Sequence, residues 1–283
     1  MKKLILLLSI IVSLTACRDD KKNPPDTEMD TPRTEGLEND TIDATEALER
    51  SSANEAKSYP VELQSIFTAH GGLSNWKKMN NLCFEMKGKN GDEVHTVSLP
   101  DRKSKIEAKD WSIGYDGKDV WLLKHDLAYE GNPRFYHNLM FYFYAMPFVL
   151  ADPGTNYQAV EPAELDGKMY NGYKVSYNDG VGDSSKDEYI LYFDPETERM
   201  TWLAYTVTFM DQKKSDDWHW IKYDKWQDVN GLQLPKKITW WNVENGKPHD
   251  EKMDIKFDKI TATETKLDPS VFKKPAEAEY VKA

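Results

Sequence analysis

Catalysis needs nucleophiles, bases or metal ligands at workable spacing, and this chain offers few. His70-Gly71-Gly72 has the look of an oxyanion loop, but no Gly-x-Ser-x-Gly elbow accompanies it. Two glycines after an amphipathic run suit a helix C-cap better. The six histidines are scattered, no His-Glu-x-x-His occurs, and none forms a pair at metal-ligand spacing. Asp179, Asp183, Asp187 and Glu188 surround Gly180 and Gly182, an arrangement that could clamp calcium; a polar hairpin tip is the preferred reading. With 48 acidic residues some carboxylates must lie close together, so a glycosidase reading has no force. Cys83, between Leu82 and Phe84, reads as a buried, inert thiol. Neither a cofactor nor a metal is expected.

The one residue with a strong chemical expectation is Cys17. Lys2 and Lys3 precede a run from Leu4 to Ile11 that is apolar except for Ser9, and Leu14-Thr15-Ala16-Cys17 follows shortly after. That is a basic region, an apolar region and a small-residue cleavage site. The run is too short to span a bilayer, which takes about 20 apolar residues. Leu14–Cys17 resembles the bacterial lipobox. The resemblance implies diacylation of the Cys17 thiol, cleavage before it and a third chain, a palmitate-type acyl group, on the new N-terminus. Two or more chains anchor stably, at about 0.8 kcal/mol per buried methylene. The expected organisation is a signal peptide over 1–16, a lipidated cysteine and tether over 17–57, and a folded domain over 58–283.

Loss of residues 1–16 removes two lysines and no acid, taking the formal charge from −11 to −13. No Lys/Arg run long enough to track phosphates exists, which argues against nucleic acid. Anionic lipid should repel such a chain, so membrane association must come from the anchor. Residues 18–57 hold no aromatic residue, six basic and twelve acidic ones, and Pro24, Pro25 and Pro32. Such a segment cannot bury enough apolar surface to offset its ordering entropy. As a flexible tether it would span roughly 35 Å. Asp19 and Asp20 directly after Cys17 resemble a surface-export tag, so the expected location is the cell envelope, lipid-anchored at the outer membrane.

The elements that would position any site come next. Val61, Ile66, Phe67 and Ala69 suit a short helix ended by His70-Gly71-Gly72. Strand signals then dominate: Leu82–Gly88, Glu93–Leu99, Lys103–Ala108, Trp111–Tyr115 and Asp119–Lys124, and later Lys168–Tyr177, Glu188–Phe193, Met200–Met210, Asp217–Trp226, Gln233–Val243 and Glu251–Lys259. Asn90-Gly91, Asp116-Gly117, Asp166-Gly167, Asn230-Gly231 and Asn245-Gly246 sit at turns. About eleven strands with short loops argue for an antiparallel meander.

Leu139–Leu150 breaks this pattern. It is apolar on every side, and Pro147 argues against a central strand. The expectation is a helix buried all round inside the concave face of a curved sheet, kinked or ended at Pro147. Trp202, Trp218, Trp220, Trp226, Trp240 and Trp241 lie on late strands. They read as a cross-strand aromatic ladder, as one wall of an apolar groove or, third, as a face that stacks on sugars. In the groove reading Phe141, Phe143 and Met146 face Trp202, Trp220 and Trp240 across a cavity that binds an acyl chain.

Several motifs occur in an order that resembles the lipoprotein-carrier (Lol) superfamily of envelope proteins: Ala69-His70-Gly71-Gly72, Tyr115–Trp121, Leu191–Thr197, Val229–Pro235 and Leu267–Phe272. More closely, the chain resembles a family of uncharacterised bacterial envelope lipoproteins. The resemblance implies an α+β fold, an open antiparallel half-barrel wrapped around helices, with an apolar cavity for lipid acyl chains. The function expected is a non-enzymatic, membrane-anchored protein that binds a lipid or lipoprotein acyl chain. The alternatives are a plugged half-barrel acting as an interaction or stress-sensing module and, more weakly, a hydrolase.

Overall fold

The computed structural model describes residues 58–88, 91–125, 129–182 and 184–282. Cys17, the signal peptide and the tether lie outside the described residues, as do Asn90 and Asp183. The strands are β1 (Asn81–Gly88), β2 (Gly91–Ser98), β3 (Ser104–Glu107), β4 (Trp111–Tyr115), β5 (Val120–Lys124), β6 (Thr155–Leu165), β7 (Lys168–Tyr177), β8 (Tyr189–Phe193), β9 (Met200–Tyr205), β10 (His219–Val229), β11 (Leu232–Glu244), β12 (Lys247–Thr263) and β13 (Glu279–Tyr280). All belong to one antiparallel sheet of 13 strands in the order β13-β5-β4-β3-β2-β1-β12-β11-β10-β9-β8-β7-β6. The sheet is an open half-barrel of the α+β class, made of two meanders joined where β1 meets β12.

Short turns make the meander possible. Asp166-Gly167, Asn230-Gly231 and Asn245-Gly246 all take positive φ at both positions. That conformation matches the right-handed twist of the strands it joins, and Asn, Asp and Gly tolerate it best. Two strands escape a sequence reading: β6 and the two-residue β13. β6 carries Glu161-Pro162, and its register with β7 slips between Val160 and Ala163. A proline is tolerated there because β6 is an edge strand, with one side free of ladder bonds.

The helices are short: α1 (Val61–Ala69), α2 (Leu73–Lys78), α3 (Pro133–Tyr136) and α4 (Leu139–Tyr144), with 3-10 turns at Phe148–Ala151 and Pro269–Phe272. One face of the sheet, together with α1 and α4, forms the main core. Leu63, Ile66 and Phe67 of α1 pack there against Leu82 and Phe84 of β1, Leu203 of β9, and Leu232 and Leu234 of β11. Ring stacking ties α2 to the 3-10 turn, with Trp76 and Phe148 parallel at 4.7 Å.

Leu139–Leu150 fills the half-barrel as expected of an all-apolar segment, but it is not one helix. Met140, Phe141, Phe143, Tyr144, Ala145, Met146, Phe148, Val149 and Leu150 are all buried. The helix stops at Tyr144 because Pro147 has no N–H for the carbonyl of Phe143 four residues back. That carbonyl accepts instead from the Tyr223 hydroxyl of β10 at 2.9 Å. A buried carbonyl must find a donor somewhere, and the same bond pins the plug to the sheet.

His70 closes α1 onto the sheet. Its Nδ1–H donates to the Gln233 carbonyl at 3.3 Å, and Nε2 accepts from the Met200 N–H at 3.1 Å. Both ring nitrogens are thus satisfied by backbone in the neutral form. Burial lowers the imidazole to about 4. It is a structural histidine, as the C-cap reading of this stretch requires.

Candidate functional site

The six residues expected to line one cavity are divided between the two faces of the sheet. Phe143 packs on Tyr205 and Trp240, with centroids 4.8 and 5.9 Å away, and Phe141 and Met146 lie in the same core. Trp202 and Trp220 belong to a separate cluster with Leu165, Tyr170, Tyr192 and Ala204. Register is the reason. Trp220 stands opposite Ala204 and Trp241, whereas Trp240 stands opposite Ile221. Directly paired residues share a face and strand neighbours alternate. Trp202, Trp220 and Trp241 therefore project from the other face of the sheet. Lys222 lies over the Trp202 and Trp241 rings, at 5.0 and 5.3 Å, and also pairs with Asp166. Trp240 is the one of the three on the plug side, its indole donating to the Tyr205 hydroxyl at 3.1 Å.

Cys83 also faces away from the main core, half-buried, because alternation gives the inner positions to Leu82 and Phe84. Its sulfur lies 3.6 Å from the Thr96 hydroxyl. The acidic loop divides its carboxylates among different partners. Asp179 pairs with Lys186, Glu188 with Lys174 and Lys214, and Asp187 accepts from Thr208. Among the described residues no group of three His, Cys, Asp or Glu could hold a metal.

The plug leaves space at one margin. A cavity of about 230 Å³ is bounded by Arg102 from the β2–β3 turn; by Arg134, Phe135, Asn138, Leu139, Tyr142 and Asp152 of the plug region; and by Tyr177, Val181, Asp187, Tyr189 and Phe209. Its walls combine aromatic and aliphatic side chains with two guanidiniums, Arg102 and Arg134, and two carboxylates, Asp152 and Asp187. Arg102 sends Nη2 to both oxygens of Asp152, at 2.5 and 2.7 Å, and its guanidinium lies 5.0 Å from the centre of the Phe141 ring. The Nη1 atom of Arg102 is buried and has no hydrogen-bond partner. Arg102 takes a φ of +59°, which projects it from the turn.

Asp187 faces this cavity on the side of the β7–β8 connection. Its Oδ1 accepts from the Thr208 N–H at 2.6 Å and the Thr208 hydroxyl at 2.7 Å. Burial pushes its carboxyl above the ordinary carboxylate range, against those two hydrogen bonds. Burial likewise raises the phenols of Tyr142, Tyr177 and Tyr189, so all three stay protonated donors at neutral pH.

Sequence reasoning missed Arg102, Asp152 and Tyr177 as site residues. In the sequence Asp152-Pro153-Gly154 signals only a turn after the apolar segment, and no motif surrounds Arg102. The available signal was the plug itself: bulky residues that fill a half-barrel leave space only at its ends, beside the loops.

A search of curated proteins gives no match. Among solved structures, the chain is similar to a LolA superfamily protein from Nitrosomonas europaea, with 11% identity, a TM-score of 0.44, and 71% of this chain and 96% of that one covered. A DUF1329 family protein from Desulfovibrio piger is similar at 11% identity and a TM-score of 0.47, over 76% of this chain and 98% of that one. A Vibrio parahaemolyticus domain assigned as an outer membrane lipoprotein-sorting protein is similar at 9% identity and a TM-score of 0.41, over 75% and 94%. The resemblance expected from the sequence is met at this level. Residues 129–247 match a family of unknown function (DUF6503), a stretch that runs from the approach to the plug to the start of β12 and holds every residue of the cavity named above except Arg102.

Proposed function

We propose that this protein is a non-enzymatic binding module of the cell envelope, lipid-anchored through Cys17, that accepts an amphiphile at the margin of a self-filled half-barrel. One observation carries the reading: the apolar face of the half-barrel is covered by the chain's own Leu139–Leu150 segment, and about 230 Å³ remains beside it. Pockets for whole drug-sized ligands run to about 300–1,000 Å³. The space beside the plug suits a head group with its first methylenes, not a set of full acyl chains. Its aromatic and aliphatic lining supports an apolar ligand segment, and Arg102 and Asp187 support a polar end. The lipobox-like Leu14–Cys17 supports an envelope location.

Native mass spectrometry of the full chain carrying Cys17→Ser tests the reading. A single-chain amphiphile should bind one per protein at micromolar concentration. Leu139→Trp, which fills the cavity, should abolish that binding. Absence of binding, or binding untouched by Leu139→Trp, would refute the proposal.

A further inference from the structure

Two charged groups lining the marginal cavity, Asp187 and Arg102, are left incomplete. Three other carboxylates withdrawn from water in this domain have a cation: Asp152 has Arg102, Glu188 has Lys174 and Lys214, and Asp194 has Lys168. Asp187 has only the two Thr208 donors, both on one oxygen, and no cation among the described residues. A carboxylate withdrawn from water without a counter-charge is unfavourable unless something supplies one. Arg102 presents the opposite case. Its charge is matched by Asp152, yet its Nη1 donors are buried and unused. A buried donor without an acceptor is likewise unfavourable. Leu139, Phe135 and Phe209 line the same cavity, with the Phe135 and Phe209 rings 5.2 Å apart.

We infer that this cavity selects an amphiphile whose head joins a primary ammonium to an oxygen acceptor: the ammonium sits on Asp187, a phosphate or carbonyl oxygen on Arg102 Nη1, and the chain along Leu139 and Phe209. The inference rests on the amphiphile reading above and adds the head-group chemistry. A purely anionic head would satisfy Arg102 but face Asp187 with like charge. A purely cationic head would leave Nη1 unused. A zwitterion answers both, and the ammonium is the discriminating part because charge-assisted bonds to a desolvated carboxylate are the stronger ones.

The full chain with Cys17→Ser, titrated calorimetrically below the micellar range, decides between them. The probes are lysophosphatidylethanolamine and lysophosphatidylglycerol of equal chain length, which differ in the ammonium. The ethanolamine lipid should bind about tenfold more tightly or better. Asp187→Asn keeps an acceptor for Thr208 and should bring the two lipids to within about twofold; a melting scan confirms that the variant is folded. Equal affinity of the two lipids for the unsubstituted pocket, or a preference that survives Asp187→Asn, overturns the inference while leaving the amphiphile reading in place. Binding of neither lipid overturns both.

Discussion

Gly71 and Gly231 meet backbone to backbone: a Cβ added to Gly71 would lie 2.1 Å from the Gly231 carbonyl oxygen. The contact locks the end of α1 against the turn between β10 and β11, next to the bonds of His70. Gly71 also holds a φ of +102°, so an alanine there meets both backbone strain and a backbone atom that cannot step aside. Gly71→Ala should cost about 3 kcal/mol or more in urea denaturation. Gly72, with a φ of +85° and nothing near its missing Cβ, is the control. Gly72→Ala meets backbone strain alone and should cost less, about 1–3 kcal/mol. Equal losses at the two positions would mean that the close approach is unimportant.

His70 predicts a pH dependence. Its imidazole is held at about 4, first by burial and further by Arg199, against 6.5 when unfolded. Above 6.5 neither state carries the proton and the group contributes nothing. Below it the unfolded chain takes a proton that the folded chain refuses, so stability is lost as pH falls from 6.5 toward 4. The loss should reach about 3 kcal/mol. His70→Gln should be less stable at pH 7 but should show a shallower decline between pH 6.5 and 4. Parallel curves for the two proteins would show that another group sets the slope.

Asp187 predicts the opposite sign. Burial raises its folded-state carboxyl, so the folded chain holds this proton more tightly, and stability declines as pH rises past the ordinary carboxylate value. Asp187→Asn should therefore raise the melting temperature at pH 7 by about 1–3 °C, with the gain gone below pH 4. A lower melting temperature at pH 7 would mean that the charge is compensated in the folded protein.

The plug predicts a large effect. Phe143 is buried between Tyr205 and Trp240. Phe143→Ala should cost about 3–5 kcal/mol. Phe143→Asp adds an unpaired buried charge and should unfold the domain by circular dichroism. Wild-type stability of the aspartate variant would show that the segment is not a plug.

The anchor predicts a partition. Cys17→Ser should leave the domain folded and move it from the membrane pellet to the soluble fraction, since one protein with two or three acyl chains binds membranes where the bare chain does not. Retention in the pellet after a high-salt wash would remove Cys17 as the anchor.

The sequence made the architecture legible because its signals were local. Alternation marked eleven strands, and Asx-Gly pairs marked the turns between them. β6 was hidden by Glu161-Pro162, which reads as a turn and is tolerated only because the strand is an edge. The site was less legible because it depends on register. Trp202, Trp220 and Trp240 look equivalent by even spacing, yet the pairing of Trp220 with Trp241 puts two of them on the far side of the sheet. Register shifts in β10 between Lys222 and Lys225, and again before Trp226, then bring Trp226 round to the plug side, where it packs on the main core. Arg102 and Asp187 come together only through loops 85 residues apart in sequence, a separation over which local periodicity carries no information.

The seam between the two meanders has a consequence for how the chain is made. Asn81 on β1 pairs with Thr263 on β12 and Tyr280 on β13 pairs with Trp121 on β5, whereas every other neighbouring pair in the sheet is joined by a local connection. A chain emerging N-terminus first can zip β1 to β5 early, but β1 then waits for nearly all the remaining residues before its second neighbour exists. Closing so long a loop is the slow, entropically costly contact of this topology. During that interval β1 offers an unpaired row of backbone groups beside Leu82 and Phe84. Another nascent copy could pair there, so the yield of native protein should depend on how many chains are folding side by side.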